Sequence, residues 1–200
     1  MQLTSFQLKV FCLTSSLLFG MSSSFADGLA ATDKSSTNEE LRLLLQQAVK
    51  DSESFEDRFD AEVWLIDMSN RLKDKIKQPD KRLNLLRQIH HEATRAELPP
   101  ELVLAVIDVE SNFDRFAISK AGAQGLMQVM PFWLKEIGQP RDSLFNVRTN
   151  LRMGSTILKY YLKKEKGDLT RALARYNGSL GKSKYPNKVF KLLSKRWYKQ

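Results

Sequence analysis

Beyond about residue 60, apolar side chains recur along the chain at steps of three and four. Ala61, Leu65, Met68, Leu72 and Ile76 fall on one stripe of a predicted amphipathic helix, which Pro79 stops. Leu83, Leu86, Ile89 and Ala93 draw the next stripe, and Pro99-Pro100 restarts the chain in a first helical turn. Leu102 to Val109 is apolar almost all round, so this helix is expected to be central and buried. Leu151, Gly154, Leu158 and Tyr161 mark a later helix. Asp168 can cap another, with Leu169, Ala172, Leu173 and Tyr176 on its inner face. Val189, Leu193 and Trp197 mark the last. No segment alternates well enough to build a sizeable sheet, and no internal repeat is visible. The predicted class is mainly α, with little or no β-sheet.

The N-terminus breaks this pattern. Lys9 is followed by an apolar run from Val10 to Met21 and then by Ser22-Ser23-Ser24-Phe25-Ala26, with small residues suited to cleavage before Asp27. Residues 1–26 read as a signal peptide, the alternatives being a short membrane anchor or a buried helix. The location this implies is outside the cytosol, in the periplasm or cell envelope. Residues 27–38 are small, polar and aperiodic and read as a flexible linker. Residues 39–86 read as a helical extension before a domain at 87–200. The single cysteine, Cys12, lies in the apolar run and lacks the small-residue context of a lipid-anchor site, so no disulfide is expected.

Charge narrows the partners. The chain of 200 residues carries a net charge of +9, and loss of Lys9 would leave about +8. From Lys182 to Lys199 there are six lysines and one arginine and no acid. Outside the cytosol such a stretch would attract anionic cell-wall polymers or a membrane surface; the plainer reading is a solvated face. Nucleic acid, which such a stretch would suggest in the cytosol, is not expected for a chain read as exported. A monomer is expected.

Two motif readings fail. Gly181-Lys182-Ser183 resembles the end of a phosphate-binding loop, but Tyr176 occupies the place of the first glycine and the preceding segment reads as a helix rather than a strand. His90 and His91 are adjacent, so a helix points them in different directions, and no second histidine follows at metal-ligand spacing. Both are read as half-buried structural histidines. No metal and no cofactor are expected.

One carboxylate is out of place. Counting from Leu102, the inward positions of the apolar helix are 102, 105, 106, 109 and 110, which puts Glu110 on the buried stripe. Burial would raise its pKa and keep it protonated for acid catalysis. The alternative is that the helix ends one residue earlier and Glu110 turns to water.

The residues around Glu110 carry a resemblance. Val109-Glu110-Ser111-Asn112-Phe113, then Ile118 to Pro131 with Gly125-Leu126-Met127-Gln128 at its centre, then Ala174-Arg175-Tyr176-Asn177-Gly178, are similar in order and spacing to the catalytic domain of the soluble lytic transglycosylases, in the lysozyme superfamily. The resemblance covers roughly Arg87 to Trp197. Arg175 stands where a small residue is usual, and Gly178-Ser179 replaces Ala-Gly.

That resemblance implies an enzyme cutting the β-1,4 bond between N-acetylmuramic acid and N-acetylglucosamine. Glu110 would protonate the bridging oxygen and then, as a carboxylate, accept the proton of the muramic C6 hydroxyl as it attacks C1. The product would be a 1,6-anhydro sugar. Asp108 is expected to point away on the helix, and Asp114 is not read as a nucleophile, so one carboxylate serves twice. Tyr176 is expected to reach Glu110 with its hydroxyl, unless it is a core tyrosine. Ser119 and Gln128 are expected to hydrogen-bond the sugar or its acetamido group. Met130 and the Met127 backbone are expected to line the groove, Asn177 to hold its loop, and Ser111 to fix the helix end. The alternatives are a hydrolytic muramidase or chitinase on the same fold, and a non-catalytic wall-binding protein.

Overall fold

A computed structural model of the chain describes Glu39, residues 58–137 and residues 142–198, all within one compact unit, Glu39–Gln200. The signal-peptide and linker readings, Cys12 and most of 39–57 lie outside the described residues.

The elements are α1 (Arg58–Leu72), α2 (Pro79–Arg95), α3 (Pro100–Glu110), the short α4 (Phe132–Ile137), α5 (Val147–Lys164), α6 (Leu169–Tyr176), α7 (Lys184–Leu192) and a π-helical turn, Leu193–Trp197. Among the described residues there is no strand, only isolated bridges joining Ile118 to Gln124 and Gln124 to Val129. The described fold is all-α, as the apolar periodicity predicts.

The hydrophobic helix α3 lies at the centre. Its residues from Leu102 to Ile107 are buried, and it packs against α2, α7 and the π-turn, while α5 bridges α2 and α6. The side chains of α3 exclude water on nearly every face, and the elements around it supply the apolar surface that a helix of this composition needs. Polar residues tie this shell together. Glu92, buried on α2, is held by Arg95 at 2.7 Å and by Arg152 of α5 at 3.1 Å. Such a cluster fixes how two helices meet, since removing one partner would leave a buried charge unpaired.

Three boundaries differ from the sequence reading. α1 ends at Leu72, and the chain turns through residues 73–75, so Ile76 reaches the core from a loop and Pro79 opens α2 rather than closing α1. A proline at a first helical position loses no hydrogen bond, which suits that place. The boundary drawn at 86/87 falls inside α2, and α1 packs on both α2 and the π-turn, so residues 58–86 are built into the same body. The last helix is interrupted: after Leu192 the chain widens into the π-turn, which carries Trp197 inward. There its indole N–H donates to Asp108 at 3.3 Å.

Asp108 shows why α3 can hold two acids so close together. It points away from the Glu110 side, as the helical period requires, and is buried among Lys75 at 2.7 Å, Arg196 at 3.3 Å and Trp197. Its charge is spent on joining α3 to the C-terminal turn.

Candidate active site

α3 stops immediately after Glu110. Ser111 donates its hydroxyl back to Ile107 O at 3.2 Å and across to Leu126 O at 2.8 Å, which fixes the helix end and binds it to the following loop. Asn112 and Phe113 then adopt φ of 52° and 69°. Two consecutive non-glycine residues in the left-handed region are costly, and such strain collects where surrounding contacts hold it in place. Here Phe113 is buried against Trp197, with ring centroids 5.6 Å apart.

The loop 117–130 lies beside the end of α3 and is a tightly cross-linked piece. Ser119 N donates to Ala123 O, Gly125 N to Ala117 O, and Gln124 and Val129 exchange both backbone bonds. Asn150, buried on α5, pins it from below: its Oδ1 accepts from Met127 N at 2.8 Å and its Nδ2 donates to Gln124 O at 2.8 Å and Leu144 O at 3.0 Å. Gly125 is required there. Its φ is +76°, and a Cβ would fall 2.4 Å from both Asn150 Nδ2 and Leu144 O. Gly154 plays the same part on α5, where a Cβ would meet Met127 Sδ at 2.6 Å.

Glu110 itself lies in a recess of about 290 Å³ whose walls are Val109, Asn177, Ser179, Tyr185 and Lys182, Lys184 and Lys188. Tyr185 donates its hydroxyl to Glu110 Oε1 at 2.6 Å; among the described residues Oε2 has no hydrogen-bond partner. Burial raises the Glu110 carboxyl from 4.5 to about 7, and the Tyr185 bond pulls against that rise. Burial, followed by the Glu110 charge, pushes the Tyr185 hydroxyl well above the usual tyrosine range, so it remains a neutral donor. Among the described residues no other carboxylate lines the recess. Asp114 is exposed and accepts from Phe116 N at 2.9 Å.

The residues singled out in the sequence are distributed unevenly around this centre. Glu110 and Asn177 share the recess; Asn177 ends α6, its N–H on Leu173 O, with its side chain exposed. Tyr176 does not reach Glu110 with its hydroxyl, which donates instead to Met127 O at 2.7 Å. It lies near enough for the Glu110 charge to raise its pKa, after burial, but it anchors the loop, and the Met127 carbonyl expected to line the groove is thereby used. Ser119 and Gln128 also work inside the loop: Ser119 Oγ accepts from Ala123 N at 3.0 Å, and Gln128 Nε2 donates to Ala117 O and Gly125 O at 3.1 and 2.9 Å. Met130 is exposed beyond it. Arg175, the departure from the motif, pairs with Glu165 on the outer side of α6.

Tyr185 was not singled out, because it lies in a stretch dominated by lysine. The available signal was its place with Val189 at i and i+4, an inner stripe on an otherwise basic helix. His90 and His91 are half-buried, His90 against Trp64 with ring centroids 5.0 Å apart, and among the described residues no group of acidic, histidine or cysteine side chains could hold a metal. The Gly181-Lys182-Ser183 segment follows a helix and a turn, not a strand.

A family model for the transglycosylase SLT domain matches residues 87–196. Membrane-bound lytic murein transglycosylase C of Photorhabdus laumondii is 32% identical over 121 residues, covering 52% of this chain and 33% of the relative. The transglycosylase of Enterobacteria phage PRD1 is 33% identical over 101 residues, 47% of this chain and 37% of the relative. The crystal structure of an inactive mutant of lytic transglycosylase Slt from Pseudomonas aeruginosa aligns with a TM-score of 0.42 at 28% identity, over 55% of this chain and 18% of that one. The chain thus spans about a third of the length of these curated relatives. With the family match covering more than half of its residues, the chain belongs to the transglycosylase SLT domain family.

Proposed function

We propose that the protein is a peptidoglycan lytic transglycosylase in which Glu110 is both acid and base. The observation that carries this reading is the Glu110 carboxyl, raised to about 7 by burial, with one oxygen held by Tyr185, in a recess where no second carboxylate stands among the described residues. A two-carboxylate glycosidase needs a partner group about 5 to 10 Å away. With none in the recess among the described residues, the substrate's own C6 hydroxyl is read as the nucleophile.

In the forward step Glu110 gives its proton to the oxygen linking N-acetylmuramic acid to N-acetylglucosamine, and the C1–O bond breaks. The acetamido group of the muramic residue supports the cationic centre. The carboxylate left behind takes the proton from the C6 hydroxyl as that oxygen bonds to C1. The acid is restored, no water is consumed, and the muramic end closes as a 1,6-anhydro ring. A pKa near 7 suits both halves, because the group must donate and then accept near neutral pH. Tyr185 holds the carboxyl in one orientation; Tyr176, Ser119 and Gln128 act through the loop they brace; Asn177, in the recess, and the exposed Met130 are read as contacts to the sugar.

We place its work in the cell envelope, with glycan strands as the partner; the reading of residues 1–26 as a signal peptide supports export. Among the described residues no helix is long and apolar enough to cross a membrane. The test is mass spectrometry of purified sacculi digested with the chain, beside a Glu110→Gln control. Products lighter by one water and ending in anhydromuramic acid, absent from the control, are expected. Reducing ends would mean a hydrolase, and intact sacculi a binding role.

A further inference from the structure

Residues 58–86 precede the family match at 87–196, yet a side chain from this segment brackets the acid. Lys75 stands in the turn that follows α1. Its ammonium donates to Asp108 Oδ1 at 2.7 Å, two residues before Glu110, and to Asn112 Oδ1, two residues after it. It also lies 5.7 Å from the centre of the Phe113 ring, a distance at which a cation and an aromatic ring attract. Lys75 is itself firmly placed. Its side chain is mostly buried, and its N–H donates to Leu72 O at 3.0 Å. α1 is seated by the buried Leu65, Met68 and Leu72 and by Arg71, whose Nη1 donates to Arg196 O at 2.9 Å.

Neutralising Asp108 does not by itself call for Lys75, since Arg196 and the Trp197 indole also reach that carboxylate, each at 3.3 Å. The turn after α3 does call for a holder. Asn112 is exposed at φ 52° and Phe113 follows at 69°, conformations that non-glycine residues keep only where contacts enforce them. Phe113 is held by Trp197, and the side chain of Asn112 by Lys75. Resting on the reading of Glu110 as the acid, we propose that Lys75 is a positioning residue for the reaction: it locks the turn at Asn112 and Phe113, so that α3 ends at Glu110 and the carboxyl stays in its recess on Tyr185. Lys75 does not line that recess, whose walls carry Tyr185, Lys182, Lys184 and Lys188. The raised pKa of Glu110 is set by burial and by Tyr185, not by a cation beside it. Lys75 therefore acts through geometry, and its loss would loosen the helix end and admit water to Glu110.

The test follows the Glu110 carboxyl first and turnover second. In the chain labelled with carbon-13 at its glutamate carboxyls, the Glu110 signal is assigned by its absence from Glu110→Gln and titrated by NMR. Lys75→Met keeps the apolar stem and removes the charge. It should bring the Glu110 pKa down from about 7, by about one unit toward 4.5, as water reaches the carboxyl. The sign decides the matter. Loss of a positive charge alone would raise the value, so a raised or unmoved pKa overturns the proposal. On sacculi the same substitution should lower kcat about tenfold with KM little changed, and Lys75→Arg should restore both the rate and the titration. A lower Tm with kcat and titration intact would leave Lys75 a purely structural role and overturn the proposal. Asn112→Gly removes the acceptor, while glycine keeps a positive φ without strain. It should shift the titration in the same direction, and adding Lys75→Met to it should change little more. Because this variant leaves buried Asp108 and its partners in place, it serves if Lys75→Met does not fold: a Glu110 titration untouched by Asn112→Gly overturns the proposal. Absence of anhydro products from the unsubstituted chain, with the titration shifted as expected in Lys75→Met, would overturn the transglycosylase reading and still leave Lys75 as the residue that places Glu110.

Discussion

Replacing Glu110 by Gln should remove activity and, above neutral pH, make the protein more stable. In the fold the Glu110 carboxyl keeps its proton up to about pH 7, against 4.5 for an ordinary glutamate. Between these values the folded chain binds more protons than the unfolded one, so stability falls as pH rises. Below the lower value both states are protonated and the cost vanishes; above the upper one it is fully present. That difference corresponds to about 3 kcal/mol, and partial exposure of the site to water reduces it toward about 2. Gln has the same shape, needs no ionisation, and its amide oxygen can still accept from Tyr185. Glu110→Gln should therefore melt about 5 to 10 °C higher than the unsubstituted chain at pH 8 for a domain of this size. The gap should narrow steadily toward pH 5. Thermal melts across that range are the assay, with release of anhydromuropeptides as the functional readout. A Tm difference independent of pH, or a Glu110→Gln chain less stable at pH 8, would refute the placement of a costly carboxylate in this recess. The expected sign is that of a site where function is held against stability.

Three further substitutions separate the roles around Glu110. Tyr185→Phe removes the hydrogen bond that favours the carboxylate. Glu110 should then titrate higher, and the alkaline limb of kcat/KM should move up by about one pH unit with the peak rate reduced; an unmoved limb would return Tyr185 to simple packing. Tyr176→Phe frees the Met127 carbonyl and should cost about 1 kcal/mol in urea unfolding while leaving the pH profile in place; a shifted limb would restore it as a partner of Glu110. Asn150→Ala strips three bonds from the loop and its neighbour and should cost about 3 kcal/mol, read from the denaturation midpoint, and a loss below about 1 kcal/mol would contradict the pinning role.

Much of this was legible in the sequence because helical periodicity is local. The apolar run Leu102–Val109 marks a buried helix; counting along it puts Asp108 on another face and leaves Glu110 either inward or turned to water, and the fold takes the inward position. Asp168 does cap α6, accepting from Arg171 N at 2.9 Å. Ser111 does fix the end of α3. The side-chain partners of the loop were less accessible. Ser119, Gln128 and Tyr176 all bond to main-chain groups rather than into the recess, and a motif that signals a site does not reveal whether its polar atoms face substrate or hold the backbone that does. The pinning by Asn150 depends on an approach between segments more than twenty residues apart, for which the pattern along α5 offers no sign.

The basic C-terminal stretch shows the same limit from the other side. Read by composition, Lys182 to Lys199 is one solvated surface. Folding sorts it by helical phase: Tyr185, Val189 and Trp197 turn inward, and Lys184 and Lys188 stand on the recess wall. Arg196 goes to Asp108. The residue that orients the acid and the cations beside it are thus near neighbours on one short helix. Glu110 is reached by α7 only because α3 and α7 pack together along the core. The contact between Tyr185 and Glu110 spans 75 positions of sequence, and it is the hydrophobic stripe of α7, not its charge, that brings it about. Moving Tyr185 out of phase with Val189 would therefore release Glu110 even if every lysine were kept.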